Sequence, residues 1–319
     1  MAQTSTATPS QPIPTPRQLF DFRGFSRNLV QRRSWLIAFI LLDILVADLI
    51  LTNTAVQEAW QYIWPGINVT VQITIASFVL AILVGLVAAL MRISKNFILY
   101  NVSTLYVELF RGLPLLVIIL IFAFVITPAL IDMIGGTDPV TDSTGAVVTP
   151  GNPGVPFLDD FIQRLVGIPE ERIADTAIRT RDIDPIWRIV FAFAVTYGAF
   201  MSEVFRAGIE SIGKGQMEAA RSLGMSYVEA MRYVILPQAV RNVLPALANN
   251  FILLLKDTSL ASVVAVPEIS HLTRQYSSNR FRYPEGLVVL SFIYANLTII
   301  LSVFVYILEA RLQADRRED

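Results

Sequence analysis

From Val69 to Met91 the chain runs 23 residues without a charge, in the order VTVQITIASFVLAILVGLVAALM. A helix of that length rises about 35 Å at about 1.5 Å per residue, enough to cross a hydrocarbon core about 30 Å thick. Small and β-branched side chains fill the run, as on helix faces that pack inside a membrane. The rest of the chain follows the same plan. Of its 319 residues, 54% are hydrophobic and 16% charged, whereas soluble domains carry about 25% charge. So few charges cannot cover that much apolar surface in water, and lipid is the expected solvent. The same figures exclude bulk disorder. Cysteine is absent and His271 is the sole histidine, which removes disulfides, thiol nucleophiles, zinc fingers and most triads and haem sites. A net charge of −1 leaves no electrostatic footprint for nucleic acid.

Five further apolar runs accompany the first. They are 35–51, broken by Asp43 and Asp48; 102–131, with Glu108, Arg111, Gly112 and Pro114; 186–208, with Arg188, Glu203 and Arg206; 237–266, with Lys256 and Asp257; and the uncharged 286–308. The expected fold class is an all-α membrane protein with six transmembrane helices. Residues 1–34, rich in Thr, Ser, Gln and Pro, are expected to form a disordered cytoplasmic tail. The basic flank and apolar stretch 35–52 is expected to be a retained span rather than a signal peptide, because no small-x-small cleavage site is evident and further spans follow. Six spans place both termini on one side. With those termini in the cytoplasm, the inner segments hold fifteen Lys and Arg and the outer ones seven, the orientation favoured by the positive-inside rule. The outer segment 132–184 carries ten acids and four arginines and reads as an extracytoplasmic insertion, with 157–166 a candidate interfacial helix. Residues 313–319 form a short C-terminal tail.

Between the fourth and fifth runs, the inner segment 211–236 is too patterned for a plain connector. Gly213 and Gly215 suit a turn, 216–223 a short helix, and Gly224 its left-handed cap. Ser226 and Glu229 have the spacing of a capping box opening a second helix, 226–234. Pro237 then suits the start of the next span. The first helix is expected to expose Ala219 and Ala220 beside Glu218 and Arg221, small side chains that let it sink into a partner's groove.

Glu218-Ala219-Ala220, Gly224 and Ile235-Leu236-Pro237 resemble the EAA…G…I-L-P coupling signature of ABC importer membrane subunits. Three other segments are similar to the polar amino-acid permeases of that group: Tyr106–Leu116, Glu203–Ile209, and Leu255–Ala261 followed by Val266-Pro267-Glu268. The chain departs from the pattern at Gly213, where the family has Pro, and at Met217, where it has Trp. The resemblance implies a five-helix type I importer core over 67–312, with the first span as an addition. It implies coupling to an ATPase through Lys214, Gly215, Gln216, Glu218, Ala219, Ala220, Arg221, Gly224 and Pro237. The implied partners are a cytoplasmic ABC ATPase dimer, an extracytoplasmic amino-acid-binding protein, and a second permease subunit, a heterodimer being favoured over a homodimer. It places the chain in the bacterial inner membrane as a non-catalytic subunit with no cofactor of its own, ATP and Mg²⁺ being bound by the ATPase.

Several polar groups inside spans have two readings. Thr196, Tyr197, Ser202, Glu203, Lys256, Asp257, Thr258 and Ser259 are candidates for the substrate path, since a zwitterion needs donors and acceptors. Helix-to-backbone bonding explains the hydroxyls equally well. Glu203 with Arg206, and Glu108 with Arg111, have i,i+3 spacing and suit local ion pairs. Adjacent Lys256 and Asp257 cannot face each other and need separate partners. His271 is expected to be solvated in the outer loop. Residues 208–215 match GxxxxGK, but Gly215 replaces the magnesium-binding Ser/Thr and a span precedes the motif where a P-loop needs a strand. The alternative function is a secondary amino-acid transporter, which would show matching inverted halves; no such halves are evident.

Overall fold

The computed structural model describes residues 34–134, 140–141, 147–149 and 184–315, with side chains over 37–130 and 184–307. Residues 1–33 of the expected tail 1–34, the candidate helix 157–166 and most of the insertion lie outside the described residues. The chain divides into two units, Met1–Gln57 and Glu58–Asp319. In the first, helix α1 (Ser34–Thr52) exposes Ile40, Leu41, Leu42 and Leu45, an apolar surface suited to lipid. Asn53 starts the next helix, its side-chain oxygen accepting from the Ala55 N–H at 2.9 Å and the Val56 N–H at 3.3 Å.

That helix is α2 (Thr54–Ile63), and α3 (Gly66–Ile93) and α4 (Phe97–Gly112) follow. Next come α5 (Leu115–Ile121), a π-helical turn (Phe122–Ile126) and α6 (Thr127–Ile134). Strands β1 (Val140–Thr141) and β2 (Val147–Thr149) pair antiparallel within the insertion, a small exception to the all-helical expectation. Beyond it lie α7 (Pro185–Glu210), α8 (Lys214–Ser222), α9 (Tyr227–Ala230) and a second π-helical turn (Met231–Ile235). The chain closes with α10 (Leu236–Asp257), a 3₁₀ turn (Thr258–Val264), α11 (Ile269–Arg280) and α12 (Tyr283–Asp315).

Among the described residues, four helical stretches are long and apolar enough to cross a membrane: Thr54–Ile93, Pro185–Glu210, Tyr227–Val264 and Tyr283–Ile307. A fifth is formed only if Phe97–Gly112 and Leu115–Leu130 count together, and they meet at 109°. The expected straight run 102–131 is therefore broken. Its break falls at Leu113-Pro114, both extended (ψ 143° and 134°), because proline disfavours helical backbone in the residue before it. The 35–52 run corresponds to α1.

α7 is the axis of the second unit. Asp184 caps its start, accepting from the Ile186 N–H at 2.9 Å, with Pro185 in the first turn where no N–H is needed. Phe193, Ile189, Val190 and Met201 on α7 pack in one buried cluster with Ile73 and Ala81 of α3 and Leu254 of α10. α3 turns its small residues to this face: Thr70, Thr74, Ser77, Ala81, Gly85 and Ala88 are all buried. A Cβ on Gly85 would lie 2.8 Å from Met201 Cβ and 2.9 Å from the Gly198 carbonyl oxygen. The two backbones meet there, as small residues permit between membrane helices. α4 is fastened across both: Ser103 Oγ donates to the Ala88 carbonyl (2.7 Å) and Tyr106 Oη to the Val195 carbonyl (2.5 Å).

Candidate functional site

The segment 211–236 folds as a helix closed by local bonds at both ends. α7 stops at Glu210; Ser211 Oγ donates to the Gly208 carbonyl (2.7 Å) and accepts from Asn242 Nδ2 (3.0 Å), tying the stop to α10. Gly213 leads into α8, which holds Lys214, Gly215, Gln216, Glu218, Ala219, Ala220 and Arg221. At its end the Gly224 N–H bonds to the Arg221 carbonyl (3.0 Å) and the Met225 N–H to the Ala220 carbonyl (3.2 Å). Gly224 has φ +87°. This is a Schellman cap, and the glycine is there because a side chain disfavours that φ. The capping box is present in full: Ser226 N–H donates to Glu229 Oε2 (2.7 Å) and Glu229 N–H to Ser226 Oγ (3.2 Å).

Two expectations change here. Ala220 is buried, and only Ala219 of the alanine pair faces out beside Glu218. Met217 also turns inward, packing against Ile209, Ile235 and Ala239. The outer surface of the segment is instead apolar around the cap, with Leu223 81%, Val228 71%, Tyr233 63% and Tyr227 54% exposed. The second helix does not end near Val234 but runs through the π-helical turn into α10. That wider turn precedes Pro237, which has no N–H to give, and Gln238 Nε2 donates to the Val234 carbonyl (3.0 Å). The GxxxxGK match has no P-loop geometry: Gly208 lies inside α7, packed against Val243 of α10.

Seven residues before Glu210, Glu203 gathers arginines from three helices. Its Oε1 accepts from Arg92 of α3 (2.6 Å) and Arg111 of α4 (3.2 Å), and its Oε2 from Arg206 (2.8 Å). Arg206 also reaches Glu210 (2.9 Å). The expected Glu203–Arg206 pair is present. Arg111, expected on Glu108, bonds instead to Glu203 across helices and stacks over Phe200 at 5.9 Å. Neither Arg92 nor Arg111 was legible as a partner of Glu203: Arg92 read as the cation that ends the 69–91 run, and Arg111 as a local partner of Glu108 inside the 102–131 run.

Higher on α7, buried Tyr197 donates its hydroxyl to Asp257 Oδ2 at 2.7 Å, joining α7 to the end of α10. Lys256 points the other way and is exposed, so the adjacent pair does diverge. Thr196 Oγ1 bonds to the Ala192 carbonyl (2.8 Å) and Thr258 Oγ1 to the Leu255 carbonyl (2.6 Å). Ser202 Oγ is buried without a hydrogen bond among the described residues. Ser259 is half-buried and its carbonyl accepts from Ser262 Oγ (2.7 Å). His271 is half-buried rather than solvated, with Nδ1 3.5 Å from the Ser262 carbonyl. Among the described residues no His, Asp and Glu cluster is arranged to hold a metal ion.

This arrangement matches known transporters. Residues 81–317 match the family of binding-protein-dependent transport system inner membrane components. The probable glutamine ABC transporter permease protein GlnP of Bacillus subtilis (strain 168) is 32% identical over 215 residues, covering 67% of this chain and 76% of that one. The L-cystine transport system permease protein TcyB of the same organism is 32% identical over 259 residues, covering 80% and 88%. A crystal structure of an amino acid ABC transporter with histidines aligns with a TM-score of 0.55 at 29% identity, covering 76% of this chain and 90% of that one. The chain belongs to the family of binding-protein-dependent transport system inner membrane components, as a permease subunit of an ABC transporter.

Proposed function

We propose that this permease carries amino acids inward, driven by a partner ATPase that binds ATP and Mg²⁺ and pushes on α8. Support for the cargo comes from the relatives, which include permeases for glutamine and L-cystine. The observation that carries the coupling role is the cap region itself. Exposed Leu223, Tyr227 and Val228 surround a left-handed glycine, while Met217 packs against Ile209 of α7 and Ala239 of α10, and Ala220 is buried. A push at the exposed side thus reaches two spans directly. Lys214, Gly215, Gln216, Glu218, Ala219, Arg221 and Pro237 flank that surface. Rocking of packed spans between two states would then expose the path alternately to each side.

The path is proposed to pass the Tyr197–Asp257 pair, with Lys256, Thr258 and Ser259 beside it; Thr196, Ser202 and Glu203 complete the candidate lining. Asp257 supplies an acceptor for an amino group. A binding protein would deliver cargo at the extracytoplasmic face of the inner membrane, with both termini cytoplasmic. The partner permease is proposed to be a related but different chain, since α1 and the 132–184 segment add to a five-helix core. The test is uptake and ATP hydrolysis by the reconstituted complex carrying Glu218→Ala. Hydrolysis that continues with uptake lost by about tenfold fits the coupling role; unchanged uptake refutes it.

A further inference from the structure

A cavity of about 490 Å³ opens between the first turns of α3 and the start of α7. The two helices run side by side in the same direction: residues 71–76 meet 184–190 here, and Gly85 meets Gly198 and Met201 further along. The lining is graded. Gln72 and Asp184 stand toward the helix starts, while Ile75 and Val190 line the deeper part. Asp184 caps α7 through Oδ1, which accepts from the Ile186 N–H (2.9 Å), and Oδ2 makes no bond among the described residues. Gln72 is exposed. The cavity thus has a polar, anionic rim and an apolar floor, and the transport reading uses neither.

Two features set this cavity at the depth of lipid headgroups. Trp64, just before α3, is 53% exposed, and Trp187 near the start of α7 lines the cavity itself; tryptophan collects at membrane–water boundaries. Beyond the cavity, Ile75, Val79, Leu83 and Val87 form one ridge of α3, each more than half exposed. From the first to the last of them the helix rises about 18 Å at about 1.5 Å per residue, close to one leaflet of a core about 30 Å thick. A polar rim above an apolar strip of acyl-chain length fits a phospholipid. The charge at the rim then selects the headgroup. A phosphatidylglycerol head brings no cation to Asp184. A choline head brings a cation without N–H donors, whereas an ethanolamine head brings an ammonium with three, and bonds from an ammonium to a carboxylate are the stronger kind.

We propose that the groove between α3 and α7 is a binding site for a phospholipid with a primary-amine headgroup, phosphatidylethanolamine in chemistry, held in the extracytoplasmic leaflet of the proposed orientation. Its ammonium bonds to Asp184, the Gln72 amide donates to its phosphodiester, and one acyl chain lies along the ridge from Ile75 toward Val87. The bound lipid bridges the starts of α3 and α7. Neither the cargo nor the ATPase enters this contact.

The test is native mass spectrometry of the intact complex released from nanodiscs that hold phosphatidylethanolamine and phosphatidylcholine in equal parts, with the same acyl chains. Retained phosphatidylethanolamine is expected to exceed phosphatidylcholine by about fivefold. Asp184→Asn is expected to bring the two to equality while keeping α7 intact, because asparagine caps a helix as well as aspartate does. Equal retention by the parent, or an unchanged preference in Asp184→Asn, overturns the proposal. So does the absence of retained lipid, which would leave the groove to the second permease chain. If Asp184→Asn fails to assemble, Gln72→Leu decides. Loss of its donor to the phosphodiester is expected to lower phosphatidylethanolamine retention by about threefold, and unchanged retention overturns the proposal.

Discussion

Glu203 holds three guanidinium groups with two oxygens, and Arg92 among them has a side chain only 10% exposed. Removing the shared carboxylate leaves that guanidinium buried without its countercharge. Breaking a fully buried pair costs about 3–5 kcal/mol. Arg111 and Arg206 are more open to solvent, so Glu203→Gln is expected to cost about 2–3 kcal/mol. A thermal melt of the assembled complex in detergent reads this; an unchanged midpoint would show that the three arginines do not depend on Glu203. Gly224 is a different case. Nothing lies within 4 Å of where its Cβ would be, so Gly224→Ala bears only the backbone cost of φ +87°, about 1–2 kcal/mol. It is expected to assemble yet lose uptake, because strain relief there moves the exposed cap. Normal uptake in Gly224→Ala would contradict this. The glycine cap and the Ser226–Glu229 box were legible in the sequence because each is decided within five residues. The Glu203 cluster was not: Arg92 and Glu203 are 111 positions apart, and no local pattern chooses one distant acid over another.

At the scale of elements, the α3–α7 contact rests on two glycines. A Cβ on Gly198 would lie 2.8 Å from Val84 Cγ1 and 2.9 Å from Tyr106 Oη, and one on Gly85 would meet backbone. Gly85→Ala is expected to cost about 3 kcal/mol or more by overpacking and to reduce the yield of folded protein. Gly112→Ala, with nothing within 4 Å, is expected to leave the yield unchanged. Equal yields from the two variants would contradict the close crossing. Apolar runs gave away most of the span positions, since length and lack of charge are properties of the run alone. The 109° break between α4 and α5 was visible only as Pro114, because a proline marks a bend without setting its angle. Fusion of α9 with α10 was missed for the opposite reason. Pro237 looked like a boundary, but the π-helical turn before it lets the helix continue.

For the molecule as a whole, the scarcity of charge takes on a role. The described charges in the second unit include the Glu203 cluster, where Glu203 meets Arg92, Arg111 and Arg206, and the exposed Lys214, Glu218 and Arg221 of α8, with Asp257 bonded to Tyr197 between the packed spans. Such a chain supplies shape and linkage while its partner supplies the chemistry. The all-helical membrane fold followed from the sequence, as did the glycine-capped helix within 211–236; the inward turn of Ala220 did not, because it depends on which helices pack beside it. The most direct measurement is uptake of labelled amino acids into proteoliposomes holding the complete complex, with ATP enclosed at the ATPase side and binding protein supplied at the other. The expected result is uptake that needs both ATP and binding protein and is indifferent to ion gradients. Uptake by this chain without ATP or the ATPase, driven by a proton or sodium gradient, would contradict it and point to a secondary transporter.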